Sequence, residues 1–375
     1  MSTRILVGLG VLVVVLALLA VVGQRGDDGG PSSQGAALAP ALDDALNDIE
    51  RVTLKKAGGE VIATLERRPE SWVVAEKSDY RADVGKIRQG LVALAEARIL
   101  EQKTSNPEFY ARLGVEDIAD AKATGIAIGF TASGRELPTL ILGNAEGAKF
   151  RYARREGEMQ SYLIDRAPDL PRSAAQWVDT QIIDVRGERV REVTITHADG
   201  EVVTISKTAS DATNFDVANV PDGRELLYPG VANVVGNALR ELKLEDVQSA
   251  ATEEAPGDVR VEYRTFDGLV VTVRGSEQGD ESWLTFEASF SPDAAQPTTA
   301  TPGSSAANPA ADSDEAEADA APGGSSATPA SAEPVDVAAE TQRINQRVGG
   351  WRYRIAGYQY DQMTRRMSDL LKPPA

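Results

Sequence analysis

Val52–Ile62 reads VTLKKAGGEVI and Val193–Val203 reads VTITHADGEVV, and a shift of 141 residues lays one on the other without a gap. Six of the eleven positions are identical, so the chain carries an internal repeat. Each copy sets β-branched or alternating runs around Ala-Gly-Gly or Ala-Asp-Gly, where glycine accepts the positive φ of a tight turn. Both therefore predict a β-hairpin. Helical spacing follows in each copy: Val84, Ile87, Leu91 and Leu94 behind an Asp83 cap, then Val231, Val235, Leu239 and Leu242 behind Pro229. The ends of these helices also agree, because Leu94, Glu96, Arg98 and Ile99 match Leu239, Glu241, Lys243 and Leu244.

Outward from the hairpins, Ile126–Phe130, Thr139–Leu142, Phe150–Arg155 and Ser161–Asp165 read as strands, and Ser173–Ile183 as a short helix carrying Trp177. The second copy offers strands at Val259–Tyr263, Val270–Val273, Trp283–Phe290 and Trp351–Ile355, with a closing helix at Asp361–Leu371. The expected fold class is α+β: two tandem repeats, each an antiparallel β-sheet with flanking helices, preceded by one transmembrane helix. The expected divisions are 1–23 for a cytoplasmic tip and transmembrane anchor, 24–40 for a flexible stalk and 41–189 for the first repeat. The second repeat takes 190–291 and 341–375, interrupted by a disordered acidic insertion at 292–340.

The anchor is Ile5–Val22, eighteen apolar residues and glycines in a row, about 27 Å long as a helix. Arg4 precedes it and Asp27 and Asp28 follow, the charge bias of a cytoplasmic N-terminus. The rival is a cleaved signal peptide, but Ala37, Leu38 and Ala39 lie far past the apolar run and precede Pro40. The expectation is a single-pass protein of the bacterial cytoplasmic membrane with its folded part on the periplasmic or extracytoplasmic side. The insertion is almost wholly Ala, Pro, Ser, Thr, Gly and acid, with nine carboxylates and no Lys or Arg, half of the chain's net charge of −18. Such a composition reads as a solvated spacer. Asp312, Asp314, Glu315, Glu317 and Asp319 lack the glycine and register of an EF-hand loop.

With no cysteine and one histidine in 375 residues, thiol nucleophiles, zinc fingers and disulfides are excluded, and the net charge argues against nucleic acid. His197 stands beside a hairpin turn where the first copy has Lys56, which favours a surface or turn histidine over a base or metal ligand. Gly143, Gly147 and Lys149 only echo a phosphate loop: the spacing is wrong and no Ser or Thr follows the lysine. The closing segment holds Arg343, Arg347, Arg352, Arg354, Arg365 and Arg366, which read first as a solvated face and otherwise as partners for the chain's own acidic loop, anionic headgroups or another protein. No catalytic, cofactor-binding or metal-ligating residue is assigned, no cofactor is expected, and the binding residues stay unknown.

The hairpin VTLKKAGGEVIATLER with Trp72, the helix Val84–Ala97, YARLGVED at Tyr110–Asp117, LILGN at Leu140–Asn144 and YLIDRAPDLPRSAAQWVDTQIIDV resemble the family called domain of unknown function 4340. The resemblance covers about residues 49–290 and 341–372. It implies a bacterial envelope protein with one N-terminal anchor that accompanies auxiliary components of an ABC-type transport system of the gliding-motility class. It imports no active site. The function expected on these grounds is a non-enzymatic single-pass accessory or scaffold protein, partnered by an inner-membrane complex with an ABC permease and auxiliary subunits. The alternative is a binding module for an envelope glycan, peptide or lipid.

Overall fold

The computed structural model describes residues 34–166, 168–250, 258–292 and 336–373, which form two units divided between Trp177 and Val178. The anchor expected at Ile5–Val22, the stalk up to residue 33 and most of the acidic insertion lie outside the described residues. Among the described residues no helix is long and apolar enough to cross a membrane.

Unit 1 holds β1 (Ile49–Lys55), β2 (Val61–Arg67), β3 (Trp72–Val74), β4 (Tyr80–Arg81), β5 (Ile99–Gln102), β6 (Ile126–Ala132), β7 (Leu140–Glu146), β8 (Phe150–Arg155) and β9 (Ser161–Ile164). They form one antiparallel sheet in the order β4-β3-β2-β1-β6-β7-β8-β9-β5. Its helices are α1 (Pro40–Ala45), α2 (Val84–Glu96) and α3 (Tyr110–Leu113). Unit 2 holds β10 (Gln181–Ile183), β11 (Val190–His197), β12 (Val202–Ser206), β13 (Asp216–Val217), β14 (Leu242–Lys243), β15 (Asp246–Ser249), β16 (Val259–Thr265), β17 (Leu269–Gln278), β18 (Glu281–Phe290) and β19 (Trp351–Ile355). Its main sheet runs β13-β12-β11-β16-β17-β18-β19-β15, and β10 pairs with β14. Strand for strand this is the order of unit 1 without β4, so the repeat legible in the hairpins governs the whole topology.

The repeat also reaches further toward the N-terminus than the hairpins indicate. In unit 1 the Leu38 N–H donates to Ala97 O, the Ile99 N–H to Ala36 O, and Ala37 bridges Arg98. In unit 2 the Leu244 N–H donates to Thr180 O, and Gln181 pairs with Lys243. Residues 35–38, placed in the stalk by composition, and 180–183, placed at the end of the first repeat, are thus one element in two copies. Leu38 and Ile182, its inward side chains, are both fully buried. Each repeat begins with an edge segment that returns to cover the residues leading into β5 or β15.

The fold class needs correction. Three antiparallel sheets dominate the described residues, and the helices are mostly short. Asp83 does cap α2, accepting from the Lys86 N–H at 2.9 Å. The matching helix expected over 229–242 shrinks to α4 (Asn233–Gly236). Gly230 turns at φ 82°, Asn233 gives its side chain to the Phe215 N–H, and the Phe215 ring lies against Gly236 where a Cβ would come within 2.2 Å. Side-chain bonding and close approach displace the regular helix. Ser173–Ile183 becomes a 3-10 turn at Ala174–Trp177 followed by β10, whose backbone groups are taken by β14. Asp361–Leu371 divides into α6 (Gly357–Met363) and α7 (Met367–Leu370), preceded in the chain by α5 (Val337–Val348).

The two main sheets differ in how their faces are covered. In unit 1, α2 covers the face carrying Val52, Leu54, Leu65 and Ile128, while residues 106–125 cross the other face over Ala127, Ile141 and Tyr152. Leu140, Ile141 and Leu142 are therefore all buried, and a continuous apolar run replaces alternation. In unit 2 only nine residues, 250–258, join β15 to β16, and β16 alternates Val259, Val261, Tyr263 inward with Arg260, Glu262, Arg264 outward.

Candidate functional site

The crossover of unit 1 builds a cleft against one face of its sheet. Gly114 ends α3 at φ 70°, turning the chain down onto the sheet. A Cβ on Gly143 of β7 would stand 2.2 Å from Leu113 O, so only glycine lets the crossover lie this close. Asn144 then donates to Arg112 O at 3.2 Å. Tyr110, Val115 and Ile118 bury against Ala127 and Ile141, fixing the crossover by hydrophobic contact. YARLGVED and LILGN, two of the quoted motifs, thus meet here.

At the β8 end of the crossover lies a cleft of about 400 Å³ bordered by Pro107, Tyr110, Glu116, Asp117, Asp120, Arg154, Glu158 and Met159. Arg154 projects from β8 on the same face as Tyr152 and is 2% exposed. Its Nε donates to Val115 O (2.8 Å), Nη1 to Glu158 O (2.9 Å) and Nη2 to the Asp117 carboxylate (2.5 Å). Its guanidinium stacks over the Tyr110 ring at 4.6 Å, and the Tyr110 hydroxyl donates to Met159 O. Three of the five guanidinium N–H groups are committed to holding the crossover and the β8–β9 turn in place. A buried cation tied to two backbone carbonyls and one carboxylate positions its surroundings; it is poorly placed to move protons.

The remaining polar groups are acidic. Glu116 has one carboxylate oxygen buried without a partner among the described residues, and Asp120, Asp117 and Glu158 border the same cleft, the last two paired with Arg154 and Arg155. Phe109 and Met159 are exposed beside the cleft, the former under the Arg112 guanidinium. On the flank, a hydrogen bond to Glu146 and then burial raise the Tyr152 hydroxyl above its ordinary range. The arrangement suits a ligand with a positive group and an apolar stem: carboxylates for the charge, Tyr110 and Met159 for the stem.

His197 takes a different place from the one expected. It ends β11 beside the turn but is buried, with Nε2 unpartnered among the described residues. Gly143 and Gly147 belong to the β7–β8 hairpin, not to a phosphate loop. The closing arginines are largely engaged within the fold: Arg347 with Asp179 and the carbonyls of Gln181 and Ile182, Arg354 with Glu281, and Arg366 with Asp199 and Glu201. The Asp312–Asp319 run lies outside the described residues, and among those described no cluster of three acids or histidines could hold a metal ion. Sequence reading passed over Arg154 and Tyr110. The available signal was FRYARR, in which Tyr152 and Arg154 share one strand face and put a charge at a position the crossover buries.

Tandem antiparallel sheets with a motif-lined cleft define a class of repeat proteins, and the comparisons give it a family. The family model described as Domain of unknown function (DUF4340) matches residues 72–260, half of the chain, and the chain belongs to that family. No curated protein and no solved structure matches the chain.

Proposed function

We propose that this is a non-enzymatic accessory or scaffold protein of a bacterial envelope membrane complex, an auxiliary of an ABC-type transport complex. In this reading Ile5–Val22 holds the chain in the cytoplasmic membrane and the two units stand on the extracytoplasmic side. The observation that supports it is the Arg154 cleft: its one buried cation is committed to structure, and Glu116, with one carboxylate oxygen unpartnered among the described residues, stands in it with Asp120 and an aromatic ring. Such a site holds a partner's basic side chain by charge-assisted hydrogen bonds.

The test is in-membrane crosslinking of the full-length chain at native expression, then detergent purification and mass spectrometry. The expected result is an ABC permease or its auxiliary subunit, depleted at least fivefold by Glu116→Gln with Asp120→Asn. Recovery of the chain alone, with a control complex captured, overturns the reading. Retention of an envelope glycan, peptide or lipid by the purified chain would instead support the alternative, a ligand-binding module, which the cleft's volume also favours.

A further inference from the structure

Among the described residues nothing in unit 2 takes the place of the crossover that covers this sheet face in unit 1. Four outward positions lie in one row across that face in unit 2. Arg260 of β16 pairs with Arg274 of β17, Arg274 pairs with Thr285 of β18, and the row continues to Arg352 of β19, whose own partner is Gln248 of β15. Arg260 and Arg274 are exposed, and Arg352 is half-buried with its guanidinium 4.6 Å over the Trp283 ring. Like charges directly opposite on neighbouring strands repel, and in an isolated sheet such a pair is destabilising. Arg274 has no hydrogen-bond or ion-pair partner among the described residues, and Arg352 is bonded only to the neutral amide oxygen of Gln248. Glu262 in the adjoining row is already shared by Arg260 and Arg264.

We propose that this arginine row of unit 2 is a docking surface for an extended acidic segment of a partner protein, a surface separate from the Arg154 cleft. The guanidinium fork matches carboxylate geometry, and an anion between Arg260 and Arg274 turns their repulsion into attraction. Strands lie about 4.8 Å apart, so the row from Arg260 to Arg352 spans about 14 Å, the reach of about four extended residues. In such a segment alternate side chains face the sheet about 7 Å apart, which places one carboxylate at the Arg260–Arg274 pair and another toward Arg352. Thr285 between them offers a hydroxyl to the passing backbone.

The test is fluorescence anisotropy of a labelled peptide of alternating Glu and Ser against the full-length chain in detergent, at several salt concentrations. Binding that weakens with salt, falls at least tenfold in Arg274→Glu with Arg352→Gln, and holds within twofold in the control Arg88→Glu is the expected result. Arg274 is exposed, so the variants should keep the fold, and circular dichroism verifies it. Four outcomes overturn the proposal: no peptide binding, equal loss in the control, binding to anionic vesicles but not to the peptide, or peptide binding that appears only after residues 293–335 are removed. The last would assign the row to the chain's own acidic residues.

Discussion

Two sheets with the same strand order receive their extra residues at different connections. Unit 1 lengthens the β5–β6 link, which crosses one sheet face and makes the cleft; unit 2 keeps that link short and lengthens β18–β19 instead. Where unit 2 is lengthened, α5 lies along the part of β18 that extends past β19, and the Asn345 amide bonds both N–H and C=O of Ala288, in place of a strand. The common frame is the strand order together with the edge segment. Even the carbonyl at the equivalent edge position is capped by a guanidinium in both copies, Leu38 O by Arg155 of β8 and Ile182 O by Arg347 of α5. A duplicated sheet thus tolerates different solutions at its surface while its hydrogen-bonded edges stay the same.

That comparison can be broken at several points. The largest effect is expected at Arg154: Arg154→Met leaves the Val115 and Glu158 carbonyls without their charged donor, at a cost of about 3–5 kcal/mol. Chemical denaturation should show the loss, and hydrogen exchange should place it in residues 106–125 and leave unit 2 unchanged. Loss spread over both units would mean the crossover is not a local feature. Next come the two edge segments: Leu38→Ala and Ile182→Ala should each cost about 2–4 kcal/mol, because both side chains are fully buried. If Leu38→Ala shifts the denaturation midpoint by less than a tenth of the Ile182→Ala shift, the equivalence of the segments fails.

The smallest effect concerns a fastening that unit 2 alone has. The Glu201 N–H, and then the Arg366 guanidinium, hold the Asp199 carboxyl below its ordinary value of 3.8. A carboxyl lowered in this way stabilises the fold above its ordinary value and loses that contribution as pH falls through the folded value. Urea midpoints measured downward from pH 6 should therefore decline below about pH 4 less steeply in Asp199→Asn than in the parent chain. Superimposable curves would remove Asp199 from the account.

The hairpins, most strands and the Asp83 cap were legible in the sequence because alternation and turn chemistry are local signals. The edge segments were not, because Gly35–Leu38 resembles a linker in composition and gains its order from the carbonyls of Ala97 and Ile99, some sixty residues away. The helix expected at 229–242 failed for a related reason: Val231, Val235 and Leu239 bury as the spacing suggests, but the Phe215 ring and the Asn233 side chain hold the backbone in turns. Of the cleft, the motif YARLGVED was visible as a resemblance. Its meeting with Arg154 and Glu158 was not, since it depends on a crossover running the length of a sheet.

In both sheets the final strand in chain order is an interior one: β9 sits between β8 and β5, and β19 between β18 and β15. Each sheet is therefore open along two strand borders until its last strand emerges from the ribosome. Unit 1 can close while the rest of the chain is still being made, but unit 2 must wait for Trp351–Ile355. A chain interrupted within the β18–β19 connection would carry one finished sheet and one with β15 and β18 unzipped, a form prone to pair with its neighbours.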